Sequence, residues 1–135
     1  MGVFSKRELQ DRLDRREIGS LERLVITPRP PEAAFDEDSI DLRLGSYFLL
    51  PRMSQQPHYA PDRRTATSLH VKVHVPLGEY LVVPAHQTVL GATLEFIKLP
   101  HDACGQILTK SSVARTFIVV ETAPWIHPNY RCGWE

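Results

Sequence analysis

The chain has 135 residues, with 16 basic and 16 acidic side chains and a formal net charge of zero, so by size it is one domain spanning residues 1–135. Such a length buries a real core, but the charge balance removes the field that steers polyanions and argues against nucleic acid as a partner. No apolar run approaches membrane-spanning length, and the N-terminus is charged almost at once without a signal-like apolar core, so a soluble cytoplasmic protein with no membrane partner is expected.

Ser5, with Glu8 three residues later, has the form of a capping box. Leu9 and Leu13 follow at helical spacing and Gly19 is a natural stop, so a helix is predicted from about Lys6 to Ile18, lying on the domain surface. Pro28, Pro30 and Pro31 then exclude regular structure. From Ser39 to Gly45 the pattern alternates, with Ile40, Leu42 and Leu44 on one face and Asp41 and Arg43 on the other. That predicts a half-buried strand ended by glycine, with Tyr47–Leu50 continuing it after a kink.

Residues 51–76 are the least patterned part and read as a surface excursion, within which Leu69, Val71, Val73 and Val75 alternate as one short strand. Beyond Glu79 the predicted strands are Tyr80–Val83, Thr88–Phe96, Gly105–Leu108 and Phe117–Glu121, separated by prolines. Many short strands and one N-terminal helix predict a mainly β domain, a barrel or sandwich.

Two cysteines, Cys104 and Cys132, make neither a Cys-x-x-Cys metal knuckle nor a disulfide framework and read as buried or half-buried free thiols. His70 and His74 are four apart, but on a strand rather than a helix, and the zinc signature of nucleobase deaminases is absent, so no protein-bound metal is expected. No glycine-rich phosphate loop is present either. What remains is a compact polar knot: Lys110, Ser111, Ser112 and Arg115. Two hydroxyls and two cations in six residues suit the oxygens of a phosphorylated ligand, because hydroxyls donate to phosphate and the cations neutralise it.

Several segments read together are more specific. The series Asp38–Gly45, Thr93–Glu95 with Leu99 and Pro100, Lys110–Arg115, then Thr122–Pro128 resembles, in order and spacing, the dCTP deaminase branch of the dUTPase-like trimeric nucleotidohydrolase superfamily. Ile26–Pro31 is similar to that branch's lead-in to its first motif, and the resemblance covers Ser5 to Gly133 apart from the 51–76 excursion. It implies a dUTPase-like distorted β-barrel or jelly roll that forms a homotrimer with nucleotide sites at subunit interfaces. It also implies hydrolytic deamination of dCTP to dUTP and ammonia without zinc, with Mg2+ arriving on the nucleotide triphosphate.

Carried over by position, Lys110, Ser111, Ser112 and Arg115 fall in the segment that grips phosphate and base. Ser111 is implied to hold the attacking water or the leaving group, Arg115 to orient the catalytic carboxylate, and the Ala123 backbone to face the cytosine. His127 stands where the family has an aspartate that meets the deoxyribose, and where dUTPases have their water-activating acid. Lys110 replaces an arginine, keeping the charge but losing the planar fork. Asp41 and Arg43 belong to the first motif, either as a structural ion pair or in direct site roles. The family's catalytic glutamate falls about five residues past Gly133, so Glu135 does not align with it, and the family's C-terminal strands and tail are expected to be absent from this chain. Two further readings stay open: a non-catalytic nucleotide-binding or regulatory homologue, and a dUTP pyrophosphatase.

Overall fold

The structure, a computed structural model, describes residues 2–15, 22–52, 70–120 and 124–131. The expected mainly β architecture with an N-terminal helix is present. Its elements are α1 (Lys6–Asp14), β1 (Val25–Thr27), a 3-10 turn (Glu32–Ala34), β2 (Leu44–Pro51), β3 (His70–His74), β4 (Leu90–Thr93), β5 (Phe96–Lys98), β6 (Gly105–Gln106), a single helical turn α2 (Ser111–Ala114) and β7 (Trp125–Ile126). They fall into two compact units, one formed by Met1–Leu42 with Glu95–Glu135 and the other by Arg43–Leu94.

In the first unit, α1 begins where the sequence places it, because the Ser5 hydroxyl accepts a hydrogen bond from the Glu8 N–H at 3.4 Å. The Glu8 carboxylate does not turn back to the cap but accepts from Arg12 one turn on, at 2.8 Å. The described helix ends at Asp14, with Arg15 leaving it in an extended conformation; Ile18 and Gly19 lie outside the described residues. Leu9 and Leu13 turn toward a cluster of Leu24, Ile26, Phe35, Ile97 and Leu99, joined by Ile40, Leu42 and Ile126. The antiparallel pair β1–β5, in register Ile26 with Ile97, supplies the middle of that cluster.

Polar contacts fix α1 over this core. Arg12 stacks 4.4 Å from the Phe4 ring centre and donates from Nη1 to both Asp102 carboxylate oxygens at 2.8 and 2.9 Å. Lys6 and Gln10 both reach Glu32, at 3.3 and 2.9 Å. Hydrogen bonding from Arg12 holds the Asp102 carboxyl below its usual range. A carboxyl lowered on folding contributes stability above its ordinary titration, about pH 4, and loses that contribution as the pH falls through the lowered folded value. Arg12→Ala is therefore expected to cost about 1 kcal/mol at neutral pH, through packing as much as charge, and less once the Asp102 carboxyl is protonated in acid. Urea unfolding of both proteins at two pH values checks this; an unchanged difference at acid pH excludes the ionic part.

The second unit is an antiparallel sheet in the order β3-β2-β4. The alternation that predicted a strand near residues 69–75 is borne out by β3, which pairs Tyr47 with His74 and Leu49 with Lys72. The Ser39–Gly45 strand is corrected. Ile40 makes only an isolated bridge to Phe35, Ile40 and Leu42 join the core of the first unit, and Leu44 is 66% exposed. Gly45 lies inside β2 rather than at its end, because a Cβ there would meet the Ala92 carbonyl oxygen at 3.2 Å; the close approach of β4 needs the missing side chain. The anticipated kink is a register shift between Leu44 and Phe48 against β4.

Three other predicted strands change. Tyr80–Val83 forms no strand, and Tyr80 and Val82 are 92% and 80% exposed. Thr88–Phe96 breaks at Leu94–Glu95 into β4 and β5. The Glu95 side chain is buried at that break and is held by an interaction there, as a buried carboxylate requires. Phe117–Val120 is not a strand: Phe117 takes a positive φ of 63° as the chain leaves α2, which breaks strand geometry at the outset. Cys104 is free but exposed rather than buried, and Cys132 lies outside the described residues. Residues 53–69 of the 51–76 excursion also lie outside them.

Candidate functional site

The polar knot sits in the first unit, on and around α2. Lys110 caps the turn in an extended conformation, and its carbonyl accepts from the N–H groups of Val113 and Ala114, each at 2.9 Å. The chain leaves the turn through Arg115, whose N–H donates to the Ser111 carbonyl at 3.1 Å. Four residues apart on one helical turn, Ser111 and Arg115 share a face. Serines favour such a position because short hydroxyl side chains are compatible with the first turn of a helix, where they compete well for backbone groups.

All of Lys110, Ser111, Ser112 and Arg115 are exposed. Among the described residues, no hydrogen bond or ion pair engages the side chains of Ser111, Ser112 or Arg115, so two hydroxyls and a guanidinium are available to a ligand. Lys110 is different. Its ammonium is paired with the Asp41 carboxylate, 69 residues earlier, and that hydrogen bond raises the lysine above its ordinary value. Asp41 stands next to Leu42, which packs toward the core, so the buried neighbour sets where the carboxylate projects. The Asp41–Lys110 contact joins the first motif to the third, which spacing in the sequence does not reveal.

The segment leading into α2 is anchored by its own pairings. Antiparallel β6–β7 aligns Gly105 with Ile126 and Gln106 with Trp125, and the Ile107 N–H donates to the Pro124 carbonyl at 2.9 Å. Gly105 admits this approach: a Cβ there would lie 3.3 Å from the Leu99 side chain and 3.5 Å from Ile126. Farther on, the Val120 N–H donates to the Thr109 hydroxyl at 2.9 Å, closing residues 109–120 into a loop that displays α2.

His127 follows β7 directly and opens a turn closed by the Tyr130 N–H on its carbonyl at 3.2 Å. The same stretch returns to β5, with Leu99 N–H on the Tyr130 carbonyl at 2.9 Å. The imidazole is exposed, and no hydrogen bond or ion pair joins it to Lys110–Arg115 among the described residues. Ala123 lies outside the described residues, as does Glu135. The structure therefore brings Lys110 to Asp41 and gathers the Lys110–Arg115 side chains on one turn, while His127 stands apart on the segment paired with β6.

The arrangement can bind a multiply charged oxyanion through Lys110, Arg115 and the two serines, and can hold a small polar molecule at the Ser111 hydroxyl. Comparison with known proteins narrows its ligand. The family model described as dCTP deaminase-like matches residues 3–135. The chain is 29% identical over 133 residues to a protein named "dCTP deaminase, dUMP-forming" from Dictyoglomus turgidum, covering 97% of this chain and 65% of that protein. It is 34% identical over 125 residues to one of the same name from Acidothermus cellulolyticus, covering 90% and 63%. It is 31% identical over 121 residues to a "dCTP deaminase" from Psychromonas ingrahamii, covering 84% and 60%. The chain thus spans about three fifths of the length of the curated relatives it matches.

Proposed function

The chain belongs to the dCTP deaminase-like family, and from that premise we propose that it is the nucleotide-gripping part of an enzyme that hydrolyses dCTP to dUTP and ammonia. The observation that carries the reading is the family match over residues 3–135, which includes every segment of the candidate site. The display of Ser111 and Arg115 on one face of α2 supports it.

In this reading the triphosphate, with Mg2+ bound to it as part of the substrate, lies against Lys110, Ser112 and Arg115. The Ser111 hydroxyl holds a water for attack on C4 of the cytosine. The water adds its oxygen to C4 as the C4–N3 double-bond pair moves onto N3 and a carboxylate takes one proton; that proton passes to the 4-amino group, the C4–N bond breaks to release ammonia, and the remaining hydroxyl proton ends on N3 as the C4 carbonyl forms. Arg115 fixes the orientation of that carboxylate, and the Ala123 backbone faces the base. His127 meets the deoxyribose as a hydrogen-bonding imidazole in place of an acid. Zinc has no part in this chemistry.

The site is completed by a second and third copy of the chain. Supporting this, Leu108, Phe117, Ile118, Val119 and Val120 form an exposed apolar stretch beside α2, from 48% to 96% exposed. Apolar surface of that kind marks contact with another protein surface. The cytoplasm, where deoxynucleotides are made, is the compartment this reading assigns.

Incubation with dCTP and Mg2+ of the chain joined to the segment that carries the catalytic carboxylate in its relatives is expected to give dUTP and equimolar ammonia, unaffected by a zinc-selective chelator. Light scattering is expected to return three times the subunit mass. Tight dCTP binding without ammonia release would select the regulatory reading. Release of pyrophosphate from dUTP without ammonia would select the pyrophosphatase; dUMP accompanied by ammonia would extend the deaminase to the dUMP-forming type named among its relatives.

A further inference from the structure

Every residue from Lys110 to Val120 is exposed, so burial of side chains does not set where this loop lies. Pairing with the β7 segment ends at the Ile107 N–H, and the backbone bonds that follow are turns internal to Lys110–Phe117. A single helical turn in water has little stability of its own, because ordering it fixes several dihedral angles for one hydrogen bond. α2 therefore keeps its shape only while the chain on either side of it is held.

Thr109 holds it. The residue is half-buried at the root of the loop, and its hydroxyl accepts the Val120 N–H at 2.9 Å. Branching at Cβ restricts the threonine side chain and so fixes where its oxygen points. Between these two residues Phe117 carries a φ of 63°, which a bulky side chain leaves unless its surroundings pin it. Its own N–H is fastened to the Ala114 carbonyl at 3.0 Å, and the Thr109–Val120 bond fastens the chain beyond. Among the described residues, the other hydrogen bond or ion pair that ties Lys110–Val120 to the rest of the chain is Lys110 with Asp41. A phosphate that takes the lysine from Asp41 breaks that link. The Thr109–Val120 bond engages neither cation and survives it.

We propose that the Thr109 hydroxyl is a positioning group for the candidate site: by fastening Val120 it keeps α2 wound, and with it Ser111 and Arg115 on one face. What those two side chains do for a nucleotide rests on the deaminase reading. That Thr109 keeps them together does not.

The test is amide hydrogen exchange in the 15N-labelled chain, comparing wild type with Thr109→Val and Thr109→Ser. Valine copies the shape of threonine without the oxygen, and serine returns the oxygen. In Thr109→Val the Val120 amide is expected to exchange at least about threefold faster, as loss of one hydrogen bond allows. The Ala114 and Arg115 amides of α2 should speed up with it. The Leu9 and Leu99 amides, bonded to Ser5 and Tyr130, should keep their rates. Thr109→Ser should restore most of the protection. In the chain joined to its relatives' carboxylate-bearing segment, Thr109→Val should lower kcat for dCTP about three- to tenfold, with Thr109→Ser near wild type. An unchanged Val120 rate in Thr109→Val, an unchanged Arg115 rate beside a faster Val120, or a speed-up shared equally by Leu9 overturns the proposal. So does a Thr109→Ser chain as fast as Thr109→Val, or a kcat that Thr109→Val leaves unaltered. Where Thr109→Val folds poorly, the wild-type chain decides: Val120 and Arg115 should lose protection together as urea is added, and separate openings overturn the proposal. Absence of deamination in the wild-type protein would sink the deaminase reading alone, leaving the exchange rates to decide the role of Thr109.

Discussion

Replacing Ser111 with alanine is expected to lower dCTP deamination by about 10²–10³-fold while leaving the fold intact. Serine at this position is exposed and holds no other group in the described structure, so its loss leaves no cavity and no unsatisfied partner. In the proposed mechanism what is lost is the hydroxyl that orients the attacking water, and positioning of proton-transfer partners is commonly worth that much. The loss should appear in kcat, with the dCTP dissociation constant changed only a few-fold, because in the same proposal Lys110, Ser112 and Arg115 would still grip the triphosphate. Ammonia release under single-turnover conditions, with equilibrium binding measured in parallel, separates the two quantities. A loss confined to binding would move Ser111 from the reacting centre to the phosphate grip. Retention of more than about half the rate would remove it from the site altogether.

Phe35→Ala is expected to be the most damaging single truncation for stability. Phe35 is 5% exposed and sits in the cluster that joins α1, β1 and β5, where it also bridges to Ile40. Removing a buried ring forfeits its transfer free energy and leaves a cavity that the surrounding backbone closes only in part, at a cost of about 3–5 kcal/mol. That is a large fraction of the stability of a domain this size. The same change should loosen the Phe35–Ile40 turn from which Asp41 projects toward Lys110, so nucleotide binding should weaken along with the fold. Chemical unfolding gives the first quantity and calorimetry the second. A cost below about 1 kcal/mol would mean that the cluster is not the core of this unit.

The two effects differ in how far the sequence revealed them. Local signals are legible in the sequence. Ser5 with Glu8 marked the start of α1, because a cap acts within one turn, and the valines of β3 marked their strand by alternation. Long-range pairing was not legible. Val25–Thr27 is too short, and too close to the prolines that follow it, to announce a strand, and β1 exists because Ile26 meets Ile97. Trp125–Ile126 is a similar case, paired with Gly105–Gln106 between two prolines. Phe117–Val120 has strand composition, but among the described residues it pairs with no strand, and Phe117 departs into positive φ.

At the candidate site, Lys110, Ser111, Ser112 and Arg115 were legible because a single helical turn of contiguous residues carries them. The partner of Lys110 was not, since alternation alone leaves Asp41 on an outward face without saying what it meets. Thr109 gave no signal whatever: one threonine before a polar knot is commonplace, and only the bond its hydroxyl makes to Val120 sets it apart.

Under the proposed function, the Asp41–Lys110 pair bears on which nucleotides the knot would accept. Before any ligand arrives, the lysine already has an anion, built into the same chain and held beside it. A nucleoside brings nothing to exchange for it, and a monophosphate trades one anion for another with little net gain. A triphosphate offers several oxygens and a larger charge, reaching Arg115 and both hydroxyls while it displaces the carboxylate. Asp41 thus works as an internal competitor, setting a threshold that grows easier to cross with each phosphate on the substrate. If the proposed function holds, a preference for a triphosphate over its shorter relatives would reside partly in Asp41, a residue outside the Lys110–Arg115 knot.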